Sequence, residues 1–144
     1  MNKYTSLNNW MENNIVTAYS LIRIFVGFAL FVRGVLLFSD PSIFTKLTGA
    51  NQWYWWFSYA VVIHTICGFL VGLGYLTRLS AFLQIPILLG AIFIFHLKEG
   101  LVRVEQSLEL STLVLVLLII FFLFGSGSIS IDNYLKKKQK NKLN

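Results

Sequence analysis

The sequence predicts an all-α fold: an integral membrane four-helix bundle, antiparallel and up-down-up-down, with both termini on the cytoplasmic side. Three observations predict it. Of the 144 residues, 56% are hydrophobic and only 12% are charged, against about a quarter charged in soluble domains, and the mean hydropathy is +0.69. The apolar residues gather into four runs, each near the roughly 20 residues that cross about 30 Å of hydrocarbon. The remaining stretches are short connections and tails, which exclude a separate soluble catalytic domain. The division that follows is a polar N-terminus over 1–17, a membrane domain over 18–132 and a basic tail over 133–144.

The first seventeen residues are polar and lack the basic head, short apolar core and small-residue cleavage site of a signal peptide, so they are expected to stay in the mature protein. Trp10 suits the lipid headgroups. The first span is expected over Ala18–Phe38. Arg23 lies near its start and can snorkel to the near interface. Arg33 lies roughly 7 Å below the far end at 1.5 Å per residue. Arg23, Gly27 and Gly34 share one helical stripe, and Arg33 flanks it. Ser39-Asp40-Pro41 ends the helix, because proline removes a backbone donor and disfavours helical geometry before it.

Trp53, Tyr54, Trp55 and Trp56 abut the second apolar run as an interfacial aromatic belt. A stacking platform for a quinone or other ligand is the alternative reading. The second span is expected over Phe57–Leu76, with His64, Gly68 and Gly72 at four-residue intervals on one face. Glycines so spaced admit a second helix, within the chain or from another copy, and an imidazole in hydrocarbon needs a protein partner. Cys67 is the only cysteine, so the chain holds no internal disulfide and runs no dithiol cycle alone; it is expected to pack as a small hydrophobe.

Thr77-Arg78 is read as a hairpin turn, and the third span as Leu79–Leu97, closing on His96. Pro86 is expected to kink it and free a carbonyl, with Gln84 as that carbonyl's partner. The polar connection from Lys98 to Glu109 carries Glu105 and Glu109 four apart, hence on one face if helical. The fourth span is expected over Leu108–Phe124. Glycines and serines from Gly125 to Asp132 break it before Lys136, Lys137, Lys138, Lys140 and Lys142. That tail accounts for much of the net charge of +6 as a membrane-side anchor facing anionic lipid, so nucleic acid is not implied.

Antiparallel spans put Lys3, Arg78 and the tail lysines on one side, and Lys46, Lys98 and Arg103 on the other. Seven cations against three make the termini cytoplasmic. The topology then gathers Arg33, His64, His96, Glu105 and Glu109 in the non-cytoplasmic half. A charge in hydrocarbon costs about 2.5 to 3.5 kcal/mol on insertion scales, so Arg33 should seek Glu109, with His64 between them. Such a cluster either locks the helices in one arrangement or holds and passes a proton near neutral pH, which suits a quinone or a small polar ligand. Haem is disfavoured, because His64 and His96 differ in expected depth by roughly 9 Å, and no Glu/His spacing fits zinc or di-iron. On the cytoplasmic side Arg23, Arg78 and Asp132 converge, with a salt bridge stapling the last helix to the hairpin.

These residues resemble the DoxX family of small four-helix membrane proteins, which includes the small subunit of thiosulfate:quinone oxidoreductase. The resemblance rests on Leu21-Ile-Arg23 with Gly27, Gly68 through Gly74-Tyr-Leu-Thr-Arg78, His96, and Glu109 leading to Gly125-Ser-Gly127-Ser-Ile-Ser130-Ile-Asp132. It spans about Ala18 to Asp132. Family members usually carry an acidic residue at His64, often a histidine at Arg33, and a lysine where Leu37 stands, so the cluster here is re-paired. The resemblance implies a subunit or accessory of a quinone-linked redox system in the bacterial cytoplasmic membrane, working with a membrane or periplasmic protein. A non-enzymatic subunit that docks or stabilises a partner, or carries a small solute, is the alternative.

Overall fold

The computed structural model describes residues 3–39, 54–96 and 108–143. Across these residues the chain is all-α, with no strand. Helix α1 covers Lys3–Asn13, α2 Ile15–Ser39 and α3 Tyr54–Leu73. Helix α4 covers Thr77–Gly90 and continues as a π-helical segment over Ala91–His96; α5 covers Leu108–Phe124 and α6 Ile131–Leu143. The four apolar runs are α2 to α5, and α5 has the ends its sequence implies. Helices α1 and α6 occupy the stretches that hydropathy marks only as polar. By length and composition α2 is able to cross a membrane, while Ser58–Leu73, Thr77–Phe93 and Glu109–Phe124 are shorter apolar stretches.

Helix α2 packs along α3, α3 against α4, and α4 against α5, with a lighter contact between α2 and α5. Bare backbone makes the first contact close. A Cβ added at Gly27 would lie 2.6 Å from Gly72 Cα, one at Gly34 2.6 Å from Thr65 N, and one at Gly68 2.6 Å from Phe31 N. All three sit where only hydrogen fits, so these glycines serve contacts within the chain. Val26 and Leu30 of α2, Val71 of α3, Ala81 and Leu88 of α4, and Leu118 and Phe121 of α5 form the core. Tyr19 closes it edge-on against Phe121 at 5.7 Å between ring centres. Outside this core lie many exposed large apolar side chains, among them Phe25, Phe38 and Phe124. Cys67 is buried, as a small hydrophobe should be.

Two local expectations are corrected. The α3–α4 turn is Gly74-Tyr75-Leu76, and Thr77-Arg78 open α4 rather than forming the turn. The Gly74 N–H donates to the Val71 carbonyl (3.1 Å) and the Tyr75 N–H to the Leu70 carbonyl (3.0 Å). This is a Schellman closure, and it needs the left-handed backbone that Gly74 adopts at φ 71°. Pro86 does not take Gln84 as the partner of its freed carbonyl. Phe82 and Pro86 face outward while the Gln84 side chain is fully buried on the opposite face, with its amide nitrogen unpartnered. The irregularity of α4 appears one turn later, where the Ala91 N–H is shared between the Ile87 and Leu88 carbonyls and the π-helical segment begins.

Candidate functional site

The hairpin end of the helices is a hydrogen-bonded junction. Arg23 does not snorkel: it is fully buried. Its guanidinium donates to the carbonyls of Val71 and Gly72 in the last turn of α3, and to the Ile129 carbonyl at 2.6 Å. A helix C-terminus offers unpaired carbonyls and the negative end of its dipole, so it attracts this cation better than a snorkelling route would. Asp132 turns the other way. Its Oδ1 accepts the Leu76 N–H at 3.0 Å and its Oδ2 the Thr77 N–H at 3.3 Å, while its own N–H donates to the Gly74 carbonyl at 3.0 Å. Leu76 precedes α4 and has no capping side chain, so Asp132 caps that helix from far along the chain.

The glycine-serine loop holds this arrangement. Ser130 Oγ accepts the Asn133 N–H at 3.1 Å, capping α6, and lies 3.0 Å from Ser126 Oγ. The Tyr19 hydroxyl donates to the Gly125 carbonyl at 2.7 Å, and Arg78 Nη2 to the Leu123 carbonyl at 3.3 Å. Arg23, Arg78 and Asp132 therefore do converge. The expected salt bridge between them is replaced by bonds to backbone: both arginines bond carbonyls, and the carboxylate bonds N–H groups.

A second polar site lies midway along the α3–α4 seam. Thr77, Ser80 and Gln84 form a buried stripe on α4. Opposite them, the Cys67 thiol faces the Ser80 hydroxyl and the His64 imidazole faces the Gln84 amide. His64 is 4% exposed and Gln84 0%. Yet His64 Nδ1 and both amide atoms of Gln84 have no hydrogen-bond partner among the described residues. Leaving such a group unpaired costs about 1 to 3 kcal/mol. Arg33 lies within electrostatic reach of His64. It is exposed on α2 by surface area, and among the described residues no carboxylate acts on it.

The remaining candidates fall elsewhere. Phe82 packs against Phe122 at 5.7 Å between ring centres, a register that puts exposed Glu109 level with the His96 end of α4. About 18 Å of helix separates Gln84, at the level of His64, from His96. That exceeds the depth gap expected from the sequence and does not favour shared haem ligation. Glu105 lies outside the described residues, as do Trp53, Lys46, Lys98 and Arg103, and the side chains of His96, Tyr54, Trp55 and Trp56. The described residues thus bring together Arg33 and His64, and add Gln84. A signal for Gln84 exists in the sequence: Thr77, Ser80 and Gln84 repeat at helical spacing on one face of an apolar run. Among the described residues no group of three or more His, Cys, Asp or Glu side chains is assembled to hold a metal.

The family model for DoxX matches residues 18–97. The chain belongs to the DoxX family. The matched region covers α2, α3 and α4 with Arg23, Arg33, His64, Gln84 and Arg78, while α5 and the Gly125–Asp132 loop lie beyond it. DoxX is a family of membrane proteins often linked to redox systems. No curated protein and no solved structure matches the chain.

Proposed function

We propose that this DoxX protein crosses the bacterial cytoplasmic membrane four times, through α2, α3, α4 with its π-helical continuation, and α5, with both termini cytoplasmic. Helix α3 has 20 residues, enough at 1.5 Å each for about 30 Å of hydrocarbon. Polar side chains such as Arg23, Gln84, Ser20 and Ser80 are buried while large apolar ones face outward, the distribution expected where the surrounding solvent is hydrocarbon. The cationic α6 fits the cytoplasmic side.

Within that membrane the protein serves as a subunit or accessory of a quinone-linked redox system. The observation that carries this reading is the buried His64–Gln84 pair, in which the imidazole Nδ1 and both amide atoms have no hydrogen-bond partner among the described residues. A quinone is neutral, has an apolar tail, and presents carbonyls that accept hydrogen bonds, or hydroxyls that donate them once reduced. An imidazole nitrogen and an amide can answer both forms without a charge. Arg33 near this pair adds a positive potential that favours a reduced, anionic head group.

The test is solvent extraction of the purified chain followed by mass spectrometry of bound quinones. Wild-type protein is expected to carry quinone, and His64→Leu with Gln84→Leu to lose it while keeping its helical circular dichroism. Quinone retained at the wild-type level in the double variant would refute the assignment. A chain without quinone, copurifying stoichiometrically with a large partner, would replace it with the docking role.

A further inference from the structure

Beside the hairpin-end junction, on its outer side, is a cavity of about 260 Å³ lined by Arg78, Ser126, Gly127, Asp132, Asn133 and Lys136. Its donors are only partly engaged. Among the described residues Arg78 uses one guanidinium nitrogen, on the Leu123 carbonyl. The Ser130 hydroxyl lies 3.0 Å from Ser126 Oγ and 3.1 Å from the Gly127 carbonyl, and its one hydrogen serves one of them at a time. Both oxygens of Asp132 are held by the Leu76 and Thr77 N–H groups, which turns its charge toward the hairpin. Two cations, Arg78 and Lys136, around one small cavity make an anion site.

The surroundings choose the anion. The cavity wall includes Phe124, which is 73% exposed, and exposed Leu79, Phe82 and Phe122 form an apolar lane on the outside of α4 and α5, with Phe82 against Phe122 at 5.7 Å between ring centres. On the other side Lys136 continues into Lys137, Lys138 and Lys140 of α6. Polar cationic cavity, apolar lane and lysine helix succeed one another as headgroup, acyl chain and leaflet surface do. The geometry points to a binding site for one anionic phospholipid, its phosphate between Arg78 and Lys136 and its chains along α4 and α5. A free phosphate would use the cavity but not the lane.

This inference rests on the membrane-spanning reading and is independent of the redox role. Full-length protein in detergent is incubated with phosphatidylglycerol or phosphatidylcholine and the retained lipid is counted by native mass spectrometry. Phosphatidylglycerol is expected to be retained, and Arg78→Gln with Lys136→Gln to weaken it about thirtyfold, at about 1 kcal/mol per cation. Lys136→Gln alone, which breaks no side-chain bond among the described residues, is expected to give part of that loss with an unchanged thermal midpoint. Replacing Lys137, Lys138, Lys140 and Lys142 by Gln is expected to leave the retained lipid in place. Equal retention of the two lipids would overturn the site, as would retention unaffected by the double variant, loss on removing the outer lysines alone, or displacement by inorganic phosphate at equal concentration. Release of the chain from membranes by alkaline carbonate would instead remove the membrane-spanning reading.

Discussion

Gly27 and Gly72 look equivalent as small residues on facing apolar helices, yet they should respond oppositely to one added methyl group. In Gly27→Ala the new Cβ lies 2.6 Å from Gly72 Cα and 2.9 Å from the Gly68 carbonyl oxygen. Both obstacles are backbone, so no rotamer change relieves them. The Gly72 backbone nitrogen is nearer still, so reaching ordinary contact, which begins near 3.4 Å, requires α2 and α3 to part by more than about 1 Å. Overpacking of this kind costs about 1 to 3 kcal/mol. One turn away, the same separation draws the Val71 and Gly72 carbonyls from the Arg23 guanidinium that they accept from. A loss of about 2 kcal/mol is expected. In Gly72→Ala the new Cβ meets its nearest atoms, Gly27 C and Phe28 N, at 3.7 Å. That is ordinary contact, and the change should stay within about 0.5 kcal/mol of wild type. Unfolding of each variant by sodium dodecyl sulfate in mixed micelles, followed by far-UV circular dichroism, measures both. A Gly72→Ala loss as large as that of Gly27→Ala would refute the packing argument, and so would a Gly27→Ala protein of wild-type stability.

Three more predictions are read in the same assay. Arg23→Lys replaces a fork that reaches carbonyls on α3 and on the Ile129 loop with a single ammonium; it should lower stability by about 1.5 to 3 kcal/mol, and a neutral result would mean the junction does not need the guanidinium. Asp132→Asn keeps one acceptor for two N–H groups and should cost about 1 kcal/mol, with Asp132→Ala costing about 2; equal values for both would show that only one of the two bonds matters. Gln84→Leu removes two buried polar atoms that have no partner among the described residues, so it should be neutral or stabilise by about 1 kcal/mol in ligand-free protein while abolishing quinone retention on extraction, a split that a purely structural glutamine would not produce.

Much of the helical layout is legible in the chain itself. The ends of α5 at Leu108 and Phe124 follow from a polar stretch before it and Gly125 after it. Ser39 closes α2 directly before Asp40-Pro41. Boundaries slipped where a side-chain reading competed with a backbone one. Thr77-Arg78 looks like a turn because it is polar, but the chain reverses at Gly74, where a left-handed backbone is free of strain. The candidate sites were less legible. Arg23 near a span end suggests snorkelling by its depth alone, whereas its acceptors come from segments as far as 106 residues along the chain.

By itself the sequence determined that this protein is built of helices, the order of its apolar runs, and which family it belongs to. Hydropathy, turn residues and short motifs act locally, so they can be read without knowing what lies across the fold. Only the tertiary structure decided that Gly27 touches backbone while Gly72 has room, that Asp132 caps a helix it does not precede, and that Gln84 faces His64 rather than the carbonyl freed by Pro86. Each depends on where two helices cross and which unpaired backbone groups their ends present. Those are properties of paired segments, and no single segment contains them.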